Sequence, residues 1–299
     1  MITPIIPIVL TVGLGFLLEC RRSMDVRALA SIAIYVLLPS LIFHSLLTTD
    51  ITLGQALPLI AIVLLNTAGL WVLGKVIARA RNLSREDESF FLLTTMFMNA
   101  GNMGMPVALY AFGDRGLEFA VVGVIIINAV MNTVAVYYAS RHRGGAAQAL
   151  RTVFSLPTIY AAAIALIVRA ADIPFPEFLL DPLRLVGRST IPVAQLLLGI
   201  QLAKARSRVT LHLSAVVAPN LVRLVAAPTL AFGLVALLGF SIHNLAAKIA
   251  VLMCAMPTAV NIAVYTTEFG LQPRRVATAV FTSTVASFLT LSGLLLLLT

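Results

Sequence analysis

The sequence predicts an all-α integral membrane protein of ten transmembrane helices, built as two inverted five-helix repeats in which helices 4 and 9 are broken near the membrane centre. Three observations predict it. Sixty per cent of the 299 residues are apolar and 11% are charged, and mean hydropathy is +1.01. A water-soluble core of this size has no surface to accommodate that composition, so lipid must be the solvent for most side chains. The chain also divides into ten apolar blocks, each near the roughly 20 helical residues that cross a hydrocarbon core of about 30 Å. Finally, landmarks of the first five blocks recur in the last five.

The blocks run 2–18, 28–47, 54–76, 88–112, 118–139, 152–171, 183–203, 210–238, 244–268 and 275–298. Residues 2–18 have no basic leader and are followed by Glu19 and Arg21-Arg22 rather than a small-residue cleavage site, so they read as a retained span. Basic residues crowd the loops after odd-numbered blocks, with Arg21, Arg22 and Arg27 after the first and Arg79, Arg81 and Arg85 after the third. Loops after even-numbered blocks carry only Arg115, Arg169, Arg184, Arg188 and Lys248. The positive-inside rule then places both termini outside the cytoplasm, in an inner or plasma membrane. The formal charge of +9 suggests no nucleic-acid partner, because no basic run exceeds two residues and none is interleaved with aromatics. Cys20 and Cys254 lie far apart without ligand spacing, so neither a disulfide framework, a metal site nor a cofactor is expected.

The repeat is carried by Pro4 and Pro157, Pro39 and Pro192, Asn66 and Asn220, Pro106 and Pro257, and Tyr110 and Tyr265, pairs separated by 151 to 155 residues. Five spans per half is an odd number, so the second half enters the membrane from the opposite side. The units are 1–141 and 152–299, joined by a cytoplasmic linker at 142–151.

Block four contains Asn99-Ala100-Gly101-Asn102-Met103-Gly104-Met105-Pro106, where two glycines and a proline predict a break about 20 Å into the membrane. Pro257 predicts the matching break in block nine. Irregular backbone at that depth is tolerated only where protein or a wet cavity satisfies it, so paired breaks point to a substrate site. A new half-helix starts after each break, and its free amides and positive end favour an anion. The candidate substrate residues are therefore Asn99, Gly101, Asn102, Gly104, Pro106, Pro257, Asn261 and Tyr265. Asn261 and Tyr265 share a helix face. The plainer reading of the asparagines is capping of the interrupted backbone, and of the tyrosine, core filling.

Four further residues are candidates for support or charge pairing. Arg223 is the one formal charge deep in a span; it either partners the substrate, snorkels, or pairs with carbonyls of the crossover. His44 titrates near neutrality or simply bonds a carbonyl. Asn128 and Asn132, four residues apart, line a cavity or bond between helices. Gly13, Gly15, Gly69 and Gly74 read as close-packing positions. No aspartate or glutamate lies at the midplane to carry a proton or ligate sodium, which favours transport uncoupled to either ion.

The Asn99–Pro106 stretch resembles the Asn-x-x-x-Met-Gly-Ile-Pro segment of the auxin efflux carrier family, matched by Asn99, Met103, Gly104, Met105 and Pro106. Pro39 with Phe43-His44, Arg223 with Pro228, and Met256-Pro257 through Glu268 are similar to further segments of that family in the same order. The resemblance covers the whole chain and includes the plant PIN-FORMED proteins and bacterial carriers of organic acids. It implies a fold like that of the NhaA antiporter and bile-acid transporters, with spans 1, 2, 6 and 7 as scaffold and spans 3–5 and 8–10 as a moving transport domain. It also implies elevator-type export of small organic anions such as carboxylates, auxin-like acids or dicarboxylates, and a homodimer formed through the scaffold. Ile42 stands where the plant proteins commonly have serine, and their long hydrophilic central loop is absent. The alternative is a sodium- or proton-coupled symporter resembling bile-acid transporters; a channel ranks beside it. An enzyme is disfavoured, since no His-Glu-x-x-His helix, Ser-His-Asp set or paired midplane carboxylates appear.

Overall fold

The computed structural model of the protein describes residues 4–140, 157–206 and 214–299. The expected linker at 142–151 lies outside them. Every regular element among the described residues is helical. Pro7 sits in the first turn of α1 (Ile6–Arg21), where a missing amide has no partner to lose. Asp25 caps α2 (Val26–Thr48), accepting from the Arg27 amide at 2.9 Å and the Ala28 amide at 3.3 Å. Thr52 and Gln55 form a reciprocal capping box for α3 (Leu53–Ala80). Ser84 caps α4 (Arg85–Met96), whose first turn sets Glu86, Asp87 and Glu88 against the positive helix end. After an extended stretch the chain resumes as α5 (100–112), and Gly113, at φ 69°, turns it into α6 (114–140). The second half holds α7 (Pro157–Ala170), α8 (Glu177–Arg188), α9 (Thr190–Arg206), α10 (Ala215–Leu237), α11 (Leu245–Cys254), α12 (Val260–Glu268) and α13 (Pro273–Leu298).

Six helical stretches among the described residues are long and apolar enough to cross a membrane: α2, α3, Ala100–Ala139, Glu177–Arg206, α10 and α13. The protein is accordingly a multi-pass membrane protein. α1 packs on α9, and α2 on α7 and α8, while α3 packs on α4, α6, α10 and α11. The α1–α9 seam is the tightest. A Cβ on Gly15 would stand 2.2 Å from the Leu196 carbonyl oxygen, and one on Gly199 would stand 2.0 Å from the Val12 carbonyl oxygen. Small residues that let backbones touch supply packing energy where lipid offers no hydrophobic drive. Gly69 and Gly74 abut Leu230 and Leu92 side chains, whereas Gly13 faces open space and is not the close-packing position its sequence suggests.

Two features depart from the sequence expectation. The first break falls at Phe97–Asn99, just before the glycine and proline cluster, and residues 100–104 are helical with wide π turns. The same widening precedes prolines elsewhere: π turns at Ala33–Leu37, Ala100–Gly104 and Val222–Ala226 each end two residues before Pro39, Pro106 and Pro228. A proline ring collides with the carbonyl four residues back, and a wider turn relieves the collision without ending the helix. The seventh block also begins earlier than expected, as the amphipathic α8. Its Phe178, Leu179 and Leu185 are exposed, and Asp181 pairs with Arg184 at 2.8 Å. Only Gly187 is buried, where a Cβ would stand 2.8 Å from the Leu41 Cα.

Candidate substrate site at the helix crossover

The extended segments that end α4 and α11 cross and pair with each other. The Asn99 amide donates to the Pro257 carbonyl at 2.8 Å, and the Ala259 amide donates to the Phe97 carbonyl at 2.9 Å, in an antiparallel bridge of Met98 with Thr258. The Thr258 hydroxyl donates to the Thr94 carbonyl at 2.8 Å, and the Ser283 hydroxyl oxygen accepts from the Thr258 amide at 3.3 Å. Backbone groups that no helix serves are thereby satisfied in the buried interior.

Arg223 completes the crossover from α10. Only 1% exposed, its Nη1 donates to the Thr95 carbonyl at 2.8 Å and the Met96 carbonyl at 3.3 Å, and its Nη2 donates to the Cys254 carbonyl. These carbonyls close α4 and α11, so one guanidinium serves two negative helix ends at once. No carboxylate pairs with it among the described residues. Of its sequence-level readings, the structure places it on the carbonyls of the crossover.

On the other side of the crossover the N-termini of α5 and α12 border a cavity of about 320 Å³. Asn99, Gly101, Asn102, Asn128, Asn132, Asn261 and Tyr265 line it. Asn99 is 4% exposed and its Nδ2 has no acceptor. The Tyr265 hydroxyl donates to Asn132 Oδ1, leaving its oxygen free to accept. Gly104, Pro106 and Pro257 are buried in the crossover and do not line this cavity. His44 and Arg223 also lie off the wall.

The opposite wall comes from α2, α7 and α9, through Arg27, Ala30, Ile34, Leu38, Thr158, Thr190, Leu197 and Gln201. The sequence reading missed its polar members. Thr190 is 3% exposed with an unpartnered hydroxyl, and Gln201 Oε1 is likewise unpartnered. A glutamine within an apolar span was the available signal, since a polar side chain there has few reasons to exist without a partner. A second cavity of about 670 Å³ adjoins the first, sharing Val26, Arg27, Gln201, Val260 and Val264 with it and reaching Asp25, Lys204 and Glu268. Among the described residues no three His, Cys, Asp or Glu side chains gather to hold a metal ion. The arrangement therefore offers neutral donors, helix N-termini and an apolar wall to a small solute reached through a wide vestibule.

The membrane transport protein family matches the chain over residues 1–150 and 141–295. An uncharacterized transporter of Methanocaldococcus jannaschii is 24% identical over 280 residues, covering 89% of this chain and 87% of its own. Another uncharacterized transporter, of Methanothermobacter thermautotrophicus, is 24% identical over 291 residues, covering 96% and 95%. With matches that span nearly the whole length, the chain belongs to the membrane transport protein family, the auxin efflux carrier family its motifs resemble, as a transporter and not an enzyme.

Proposed function

We propose that the protein exports small organic anions by an elevator-type alternating-access mechanism. The observation that carries this reading is the orphaned Asn99 amide beside two half-helix N-termini, at a cavity between two groups of helices. Amide donors and positive helix ends suit a carboxylate. In this reading α1, α2, α7 and α8–α9 form the scaffold and the remaining helices the transport domain. Ten spans result when α4–α5 and α11–α12 each count as one interrupted span and the short α1 and α7 as one each. Both termini are then extracytoplasmic, the vestibule opens to the cytoplasm, and two copies meet through the scaffold.

Asn99→Ala is expected to weaken binding of a carboxylate ligand by about 1 to 3 kcal/mol, because a ligand oxygen loses its donor in a low-dielectric site. Titration of purified protein checks it; unchanged affinity in a folded variant removes Asn99 from the site.

Uncoupled transport is the favoured energetic scheme, supported by Arg223. The helix C-terminal carbonyls that would suit a coupling cation already hold a guanidinium. Expelling one negative charge across an inside-negative membrane gains about 2.3 kcal/mol per 100 mV, enough to drive export alone. Initial flux of an organic acid into or out of proteoliposomes is expected to follow an imposed potassium-diffusion potential at equal pH and sodium. If reversing the potential leaves the rate unchanged while a sodium or pH gradient drives accumulation, the coupled-symporter reading replaces this one.

A further inference from the structure

The central cavity is polar at the crossover and apolar through its middle, and it carries one formal charge among its described wall residues, that of Arg27. Arg27, Ala30, Ile34 and Leu38 follow one face of α2, so this wall runs for about 16 Å from Arg27 inward. Arg27 lies where the central cavity meets the vestibule, since it borders both. Its backbone amide is used by the Asp25 cap, but its guanidinium has no ion pair or hydrogen bond among the described residues. Nearby charges are otherwise engaged or set outward. The Asp25 carboxylate accepts the two capping amides, Lys204 donates to the Met24 carbonyl at 2.7 Å and lies 3.7 Å from Glu19, and Glu268 borders the vestibule only.

We infer that Arg27 is the residue that reads how many negative groups the substrate carries. Resting on the organic-anion reading above, one carboxylate of a dianion sits at the Asn99 end of the cavity and the second pairs with the Arg27 guanidinium, whose planar fork matches a carboxylate in two-pronged fashion. The apolar wall between them accommodates a short carbon chain. The unpartnered Asn99 Nδ2 and Thr190 hydroxyl, both more than nine-tenths buried, are independent signs that a ligand completes this cavity. A monoanion held at the crossover leaves the guanidinium unpaired, and a dianion satisfies both poles.

The test uses the full-length protein in detergent and proteoliposomes with saturated dicarboxylates of four to six carbons and the monocarboxylates of equal chain length. Wild type is expected to bind and exchange the matched dicarboxylate at least about tenfold more tightly than its monocarboxylate partner. In Arg27→Gln that preference is expected to vanish while monocarboxylate affinity holds, and Arg27→Lys is expected to restore part of it. Asn99→Ala, by contrast, is expected to weaken both ligands. Three results overturn the inference: an unchanged dicarboxylate preference in Arg27→Gln, an equal loss for both ligand classes, which makes Arg27 a general attractor of anions, or a wild type that binds monocarboxylates with no preference for dianions. If wild type neither binds nor moves any carboxylate, the organic-anion reading fails with it.

Discussion

Arg223→Ala is expected to lower the stability of the folded protein by about 3 kcal/mol or more, because three buried carbonyls lose their donor at about 1 to 3 kcal/mol each. The side chain is one of the largest fully buried among the described residues, and its loss strips the Thr95, Met96 and Cys254 carbonyls of their donor at buried positions. Both half-helices would then end on unpaired carbonyls. Arg223→Lys keeps the charge but not the fork, so one ammonium cannot serve both ends, and an intermediate loss is expected. Thermal unfolding in detergent, read as the order wild type, lysine, alanine, checks this. An alanine variant that unfolds with wild type would show that the guanidinium does not hold the crossover together.

The second large effect is expected at Gly199. A Cβ there would meet the Val12 carbonyl oxygen at 2.0 Å and the Phe16 amide nitrogen at 2.7 Å. Both are backbone atoms, which cannot rotate aside, so even Gly199→Ala must push α1 away from α9. The expected cost is about 1 to 3 kcal/mol, at the upper end because Gly15 makes a similarly close backbone approach in the same seam. Gly13→Ala supplies the control on the facing helix α1, where a Cβ meets nothing within 4 Å. There the better helix propensity of alanine should leave stability unchanged or raised by up to about 1 kcal/mol. Equal behaviour of the two variants would mean that the seam yields more easily than its backbone distances imply.

The sequence was legible where its signals are local and physical. Apolar blocks and the interruption at Pro257 are consequences of a few neighbouring residues; the caps at Asp25, Ser84 and Asn244 that start α2, α4 and α11 are equally local, although the block boundaries do not use them. The interruption in the first half was placed a few residues late. Glycine and proline mark where a helix is weak, but a π turn absorbed Pro106, and the actual break was set by pairing of Phe97 and Asn99 with a segment far along the chain. Long-range pairing leaves no local trace. The same reason hid half of the candidate site. Asn99, Asn102, Asn261 and Tyr265 were visible beside the breaks, whereas Thr158, Thr190, Gln201 and Arg27 reach the cavity only through the packing of α2, α7 and α9. The inference that Arg223 meets backbone carbonyls was open from sequence as one reading among three, because a buried cation without an acidic neighbour must find oxygen somewhere.

The bridge between Asn99 and Pro257 also constrains how the protein is made. Pro257 follows Asn99 by 158 residues, and at about 5 to 20 residues per second a ribosome needs roughly 8 to 32 s to travel between them. Through that interval the Phe97 carbonyl and Asn99 amide lack the partners they have in the finished fold, and each unsatisfied group in hydrocarbon costs several kcal/mol. The first half of the chain cannot complete its own centre. Its interrupted span must stay shielded by the insertion machinery, by water or by neighbouring helices until the ninth block arrives, so assembly of the crossover is a late event that joins both halves at once.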